Sequence, residues 1–276
     1  MSASTPPRLT DRTALTRNRR RSREEALFLH DMAMDDIQDR LDMVNRSFTT
    51  PAVVTGQPQK WSALPGLPAP KIVADTEVLA LEPGAHDLVI HAMSLHWADD
   101  PIGQIIQCRH ALKPDGLFLA VMPAGRTLHE LRAAMAEAEA QVTGGLSPRV
   151  APMAELRDLG ALLQRAELAL PVADGAPFTA SYATPLHLMR ELRYMGEGNA
   201  LDARLRRPTR RAVLMRAMEI YMESFGTDDG RIPATFELIT LTGWAPDASQ
   251  PKPLRPGSAT SRLADALNAR EVPLKD

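Results

Sequence analysis

One cysteine among 276 residues, Cys108, excludes an internal disulfide and a cysteine metal cluster. It lies in an apolar run of helical spacing, so a small buried hydrophobe is expected there rather than a nucleophile. Charge of one sign is also lacking: 32 basic residues face 34 acidic ones, and the net charge of -2 argues against a nucleic-acid or anionic-membrane partner. No run approaches the roughly 18 to 20 apolar residues of a membrane span, and no signal-peptide core is present. A cytoplasmic location is expected. The alternative is the mitochondrial matrix, raised by an N-terminus holding Arg8, Arg12, Arg17, Arg19, Arg20, Arg21 and Arg23 against the single Asp11. Such a segment reads either as a transit peptide or as a solvated arm.

What is present suffices for one large domain, or one with a sizeable insertion, at 44% hydrophobic and 24% charged residues. Ser22 and Glu25 have the spacing of a capping box, and Met34, Ile37, Leu41, Val44 and Phe48 then recur at helical intervals. Short strands are expected at 52–55 and within KIVADTEVLAL at 71–81. The prolines between them, Pro58, Pro65, Pro68 and Pro70, leave room for a short helix at most.

From Asp87 the pattern sharpens. DLVIHAM is a continuous apolar strand, Asp100 and Pro101 can start a helix, and KPDG turns into the strand LFLAVM, which makes a parallel βαβ unit. Thr127 and Glu130 offer a second capping box, and helices at 153–166, 185–195 and 208–225 surround a strand at 168–173. ATFELITLTGW then closes the sheet. The expected organisation is a basic flexible arm (1–21), an N-terminal helix (22–50), a core (51–175), a helical insertion (176–228), a closing strand (229–244) and a tail (245–276).

Several motifs carry a resemblance. They are SLHW at 94–97, LKPDG at 112–116, GGLSPR at 144–149, RYMGEGNAL at 193–201, DGRIPATFELITLTGW at 229–244 and PGSAT at 256–260. Together they resemble class I S-adenosylmethionine-dependent methyltransferases of the respiratory complex I assembly type, and more distantly the biotin-synthesis carrier-protein methyltransferases. The resemblance implies a Rossmann-like α/β sheet, here truncated in its N-terminal half, with a helical insertion before the last strand. It also implies S-adenosylmethionine as cofactor and a protein client, a complex I subunit. The family carries DLGCGxG after its first strand, where glycines let the backbone approach the ligand. This chain has VVTGQPQKW, in which Gly56 alone could serve and Pro58 removes a donor, so cofactor binding is expected to be weak or lost. One strand and its helix, with the ribose-binding acid, are missing from a stretch too short for two βα units. Asp75 matches the family's adenine-edge acid, although a loop aspartate after a strand is also ordinary structure.

The resemblance makes Gly56, Asp75, Ser94, His96 and Trp97 the cofactor-side residues. His96 and Trp97 follow a strand at its carboxyl end, where open α/β sheets place ligands, or else they are a turn residue and a cap on the core. His129 and Arg132 are placed at the pocket mouth. Glu197 and Asn199, between flexible glycines, are candidates for recognising a partner or substrate, or else mark a helix ended by glycine. The cluster Arg206, Arg207, Arg210 and Arg211 reads as a site for an acidic partner or as a solvated face. No metal site is expected, since only Asp99 and Asp100 approach ligand spacing to His96. No catalytic residue is assigned. Two readings follow: a methyltransferase-like protein that docks a client during complex I assembly, or an active S-adenosylmethionine-dependent or related enzyme that modifies a protein side chain such as arginine. Small-molecule methylation is the third.

Overall fold

Apolar residues alternate along the central strands, and the two sets face opposite sides of one sheet. Val53, Leu88, Ile90, Leu117, Leu119 and Val121 belong to one buried cluster, while Ala52, Val54, Val89, Phe118, Ala120 and Met122 belong to another. The computed structural model describes residues 8–251. Its strands are β1 (Pro51–Thr55), β2 (Lys71–Ala74), β3 (His86–Ala92), β4 (Leu112–Pro123), β5 (Ala169–Tyr182) and β6 (Ile232–Trp244). Its helices are α1 (Arg12–Arg19), α2 (Phe28–Met43), α3 (Pro101–Ala111), α4 (His129–Thr143), α5 (Leu156–Arg165), α6 (Pro185–Met195) and α7 (Arg211–Phe225).

The strand order is β2-β1-β3-β4-β6-β5. The first four strands are parallel, and β6 runs antiparallel between β4 and β5. The helical insertion expected before the last strand is present as α6 and α7. Register places the functional edge: Thr55 pairs with both Ala74 and Ala92, so β1, β2 and β3 end level. Gly56, Asp75 and Ser94 therefore emerge from the same carboxyl edge. α2 and α4 lie over one face, with Ile37 and Met135 in the first cluster, and α3 and α5 over the other, with Ile105 and Leu163 in the second.

Several expectations are corrected. The arm at 1–21 is not loose where it is described: Asp11 caps α1 by accepting from the Ala14 amide at 3.0 Å, and Ala14 and Leu15 are buried. Residues 1–7 lie outside the described residues. The helix expected over 22–50 is a 3-10 turn at Glu24–Ala26 followed by α2, because the Ser22 hydroxyl donates to the Arg19 carbonyl and to Gln57 instead of capping. Within the 71–81 run the strand occupies Lys71–Ala74. Beyond it Gln104 and Gln107 of α3 bond the backbone of Thr76, Glu77 and Leu79, which replaces a strand partner.

The second capping box fails for a similar reason. Glu130 accepts from the amide and hydroxyl of Thr235 on β6, and the Thr127 hydroxyl donates to the Ala124 carbonyl. β5 continues past residue 175, pairing with β6 as far as Tyr182 opposite Ile232, so the insertion begins at Pro185 rather than 176. The chain divides after Pro246 into two compact units. In the second, Asp247 accepts from the amide and hydroxyl of Ser249. PGSAT at 256–260 lies outside the described residues.

Candidate functional site: an arginine-bridged cleft beside an apolar pocket

Asp75 follows β2 and is buried, so its charge requires partners. Two come from one face of α1. Arg19 Nη1 donates to both carboxylate oxygens at 2.9 and 2.8 Å, and Arg12 lies 3.2 Å from Oδ1 and also donates to the Asp75 carbonyl. The same Arg19 guanidinium covers Gly56. A Cβ built on that glycine would lie 2.1 Å from Arg19 Cζ. α1 is fixed at both ends by distant groups: Asp11 pairs with Arg204 at 2.7 Å, the Leu9 and Thr10 amides donate to Asp99, and Asn18 donates to the Gly198 carbonyl. The amide of Ala14 and the guanidinium of Arg204 hold the Asp11 carboxyl below its ordinary range.

The first loop is also occupied with its own chain. The Gln57 amide donates to Thr55 Oγ1 at 3.1 Å, and its side chain accepts from Ser22 and reaches the Met195 carbonyl. A cofactor with a methionine carboxylate and amine requires backbone approach at Gly56, and a sulfonium cation would meet Arg19 there. In this arrangement the Arg19 guanidinium stands in the approach to Gly56 and Asp75 that S-adenosylmethionine would need, at the wall of an open cleft of about 690 Å³.

Next to this cleft is a cavity of about 200 Å³ with apolar walls that include Leu131, Met153, Leu192 and Phe236. His96, Trp97 and Glu197 line it. Glu197 Oε2 accepts from Trp97 Nε1 at 2.7 Å and from His96 Nε2 at 3.2 Å. Burial would raise the Glu197 carboxyl, but His96, Arg19 and Trp97 outweigh it and hold the group down at about 2. His96 Nδ1 is buried without a partner among the described residues. An apolar cavity with an ionised carboxylate suits a cationic N–H donor on an aliphatic stem.

The structure thus brings His96, Trp97 and Glu197 together in the pocket, and Gly56 and Asp75 together in the cleft under Arg19. Asn199 lines the pocket, but its amide closes the loop by donating to the Pro148 carbonyl and accepting from Leu201. Ser94 is buried, 3.4 Å from His91 Nδ1, while His91 Nε2 contacts Gln104 at 2.7 Å. His129 and Arg132 do not line the pocket. His129 packs edge-on against Phe225 beside Glu130, and Arg132 donates to the Ala151 carbonyl at 3.3 Å, because α4 turns these side chains toward α7 and the 147–151 segment.

Arg206 pairs with Asp202 and Asp11, and Arg207 and Arg210 line a polar cleft with Glu139. Cys108 is fully buried, which pushes its thiol up. Among the described residues no cluster of metal-ligand side chains is found, and no helix is long and apolar enough to cross a membrane. Sequence reading missed Arg12 and Arg19. Their seven-residue spacing, two turns on one helical face, was the available signal.

A family model described as a methyltransferase domain matches residues 54–120, which covers β1 to β4 and the loops that carry Gly56, Asp75 and His96. The chain is 38% identical over 199 residues to the protein named arginine-hydroxylase NDUFAF5, mitochondrial, of Danio rerio, covering 72% of this chain and 62% of that one. It is 33% identical over 181 residues to a malonyl-(acyl-carrier protein) O-methyltransferase of Halorhodospira halophila, covering 65% and 59% of the two chains. The chain therefore spans about 60% of the length of these curated relatives. Among solved structures, the YcgJ protein of Bacillus subtilis aligns with a TM-score of 0.48 at 10% identity, over 82% of this chain and 100% of that one.

Proposed function

We propose that this chain is a methyltransferase-like protein, truncated in the N-terminal half of its sheet, that works by holding a protein client, a complex I subunit during assembly, with one arginine of the client in the His96–Trp97–Glu197 pocket. The observation that carries this reading is Arg19: its guanidinium lies against Gly56 and pairs with Asp75, the two positions the family resemblance assigns to the cofactor, while the neighbouring apolar pocket presents His96, Trp97 and Glu197. The pocket supports an arginine because it offers aliphatic walls and an ionised carboxylate. The name of the zebrafish relative, an arginine hydroxylase, points to the same side chain.

Calorimetric titration of S-adenosylmethionine tests the cleft. A loop that has lost several hydrogen bonds to a charged ligand, each about 1.5–3 kcal/mol, forfeits several powers of ten in affinity. No binding below about a millimolar is expected. Micromolar binding that Asp75→Ala abolishes would overturn the docking reading. It would favour the second reading, an active enzyme modifying a protein side chain, for which the intact His96–Glu197 contact speaks.

A further inference from the structure

The pocket opens toward a groove between the 21–23 segment and α6. The two run side by side: the Arg23 amide donates to the Tyr194 carbonyl at 2.8 Å, and the Arg23 guanidinium lies 3.9 Å over the Tyr194 ring. Arg21, Arg23, Arg190 and Arg193 line the groove with Leu186 and Met189, and Met189 and Arg193 line the pocket as well. All four arginines are exposed, and none forms an ion pair among the described residues. Glu24 and Glu25, adjacent in sequence, take no ion pair from them. In a chain of net charge -2, many of whose other arginines are paired to carboxylates, four unpaired guanidiniums around exposed Leu186 form a local field of one sign.

We infer that this groove docks an acidic peptide segment of the client, with carboxylates on the four arginines and an apolar residue on Leu186 and Met189. The segment would be continuous with the side chain that enters the pocket. Charge complementarity carries the inference: planar guanidiniums take carboxylates in paired hydrogen bonds, and mixed apolar and basic walls select a peptide over a bare polyanion. It deepens the proposed function and rests on that reading for which part of the client enters the pocket. The groove's own preference is measured separately.

The test uses the full chain and fluorescence anisotropy with a short fluorescein-labelled peptide bearing glutamates on both sides of one arginine. One twin carries glutamines for the glutamates, and another carries methionine for the arginine. The glutamate peptide is expected to bind about tenfold tighter than its glutamine twin in low salt, with the gap closing as salt rises. Arg190→Gln/Arg193→Gln, checked for an unchanged circular dichroism spectrum, is expected to bring the two peptides within about twofold. Equal binding of the two by the unaltered protein, or a gap that survives the double variant, overturns the inference. So does displacement of the peptide by single-stranded RNA or phosphatidylglycerol vesicles as readily as by the unlabelled glutamate peptide, which would make the groove a general anion surface. Unchanged affinity for the methionine twin would instead defeat the arginine pocket while leaving the groove standing.

Discussion

Replacing Arg19 by methionine removes one member of a buried ion pair, since its side chain is 10% exposed and that of Asp75 is 7%. Breaking such a pair from one side leaves a buried charge uncompensated and costs about 3–5 kcal/mol. Arg12 stays 3.2 Å from Asp75 and is itself 33% exposed, so part of the carboxylate's field is retained and water can help. The expected loss is then about 2–3 kcal/mol. Asp75→Asn should cost a similar amount, because Arg12 and Arg19 then face each other without an anion. The double variant Arg19→Met/Asp75→Asn removes both charges and should cost less than the sum of the singles by at least about 1.5 kcal/mol. Urea unfolding followed by far-UV circular dichroism measures this, provided the slope m is unchanged. Singles near wild type, with additive effects in the double, would mean a solvated pair and a loose basic arm.

Stability should fall in two steps as pH is lowered. Burial holds His30 and His91 down at about 4, so both are neutral in the fold and the unfolded chain takes up protons first. Their contribution is full above about 6.5 and is lost as pH falls through 4. Glu139, held at about 2 by its hydrogen bond to Arg149, and Glu197, also at about 2, add a second loss between about 4.5 and 2. A urea midpoint that stays flat from pH 7 to 5 would contradict the first step, and His91→Gln should shrink it to the share of His30. Cys108 should resist a thiol reagent in the native protein and react on unfolding, and rapid labelling without denaturant would show that its face of α3 is not packed on the sheet.

The elements legible in the sequence are those whose instructions are local. α6 matches its expected bounds because Pro185 opens it and Gly196, at φ +90°, closes it. β3, α3 and β4 follow from an unbroken apolar run, the Asp100 cap and the LFLAVM run, and they lie side by side and parallel as expected. Where a local pattern competed with a tertiary partner, the partner prevailed. Ser22 and Glu130 had capping spacing, yet Gln57 and Thr235 claimed their side chains. α1 was illegible because its anchors, Asp99, Gly198 and Arg204, stand 89 to 193 residues from the groups they hold, and nothing near Arg12 announces them. The pocket divides in the same way. His96 and Trp97 were readable from their place after a strand, whereas the turn of α4 that removes His129 and Arg132 from the cavity depends on packing against α7.

The cleft and the pocket form one electrostatic arrangement. A carboxylate buried at the end of β2 without a ligand must find a cation within its own chain, and α1 brings Arg19 to it. Arg19 in turn helps keep Glu197 ionised, so charge alternates from Asp75 through Arg19 to Glu197. The contact that places Arg19 against Gly56 and Asp75 therefore also tunes the carboxylate of the pocket. A ligand that displaced Arg19 from Asp75 would weaken the pocket's hold on its negative charge, and a cation entering the pocket would meet the field of Arg19 beside the carboxylate it seeks. Neither residue can be changed without altering the other's surroundings, so the cleft and the pocket respond together to a change in either.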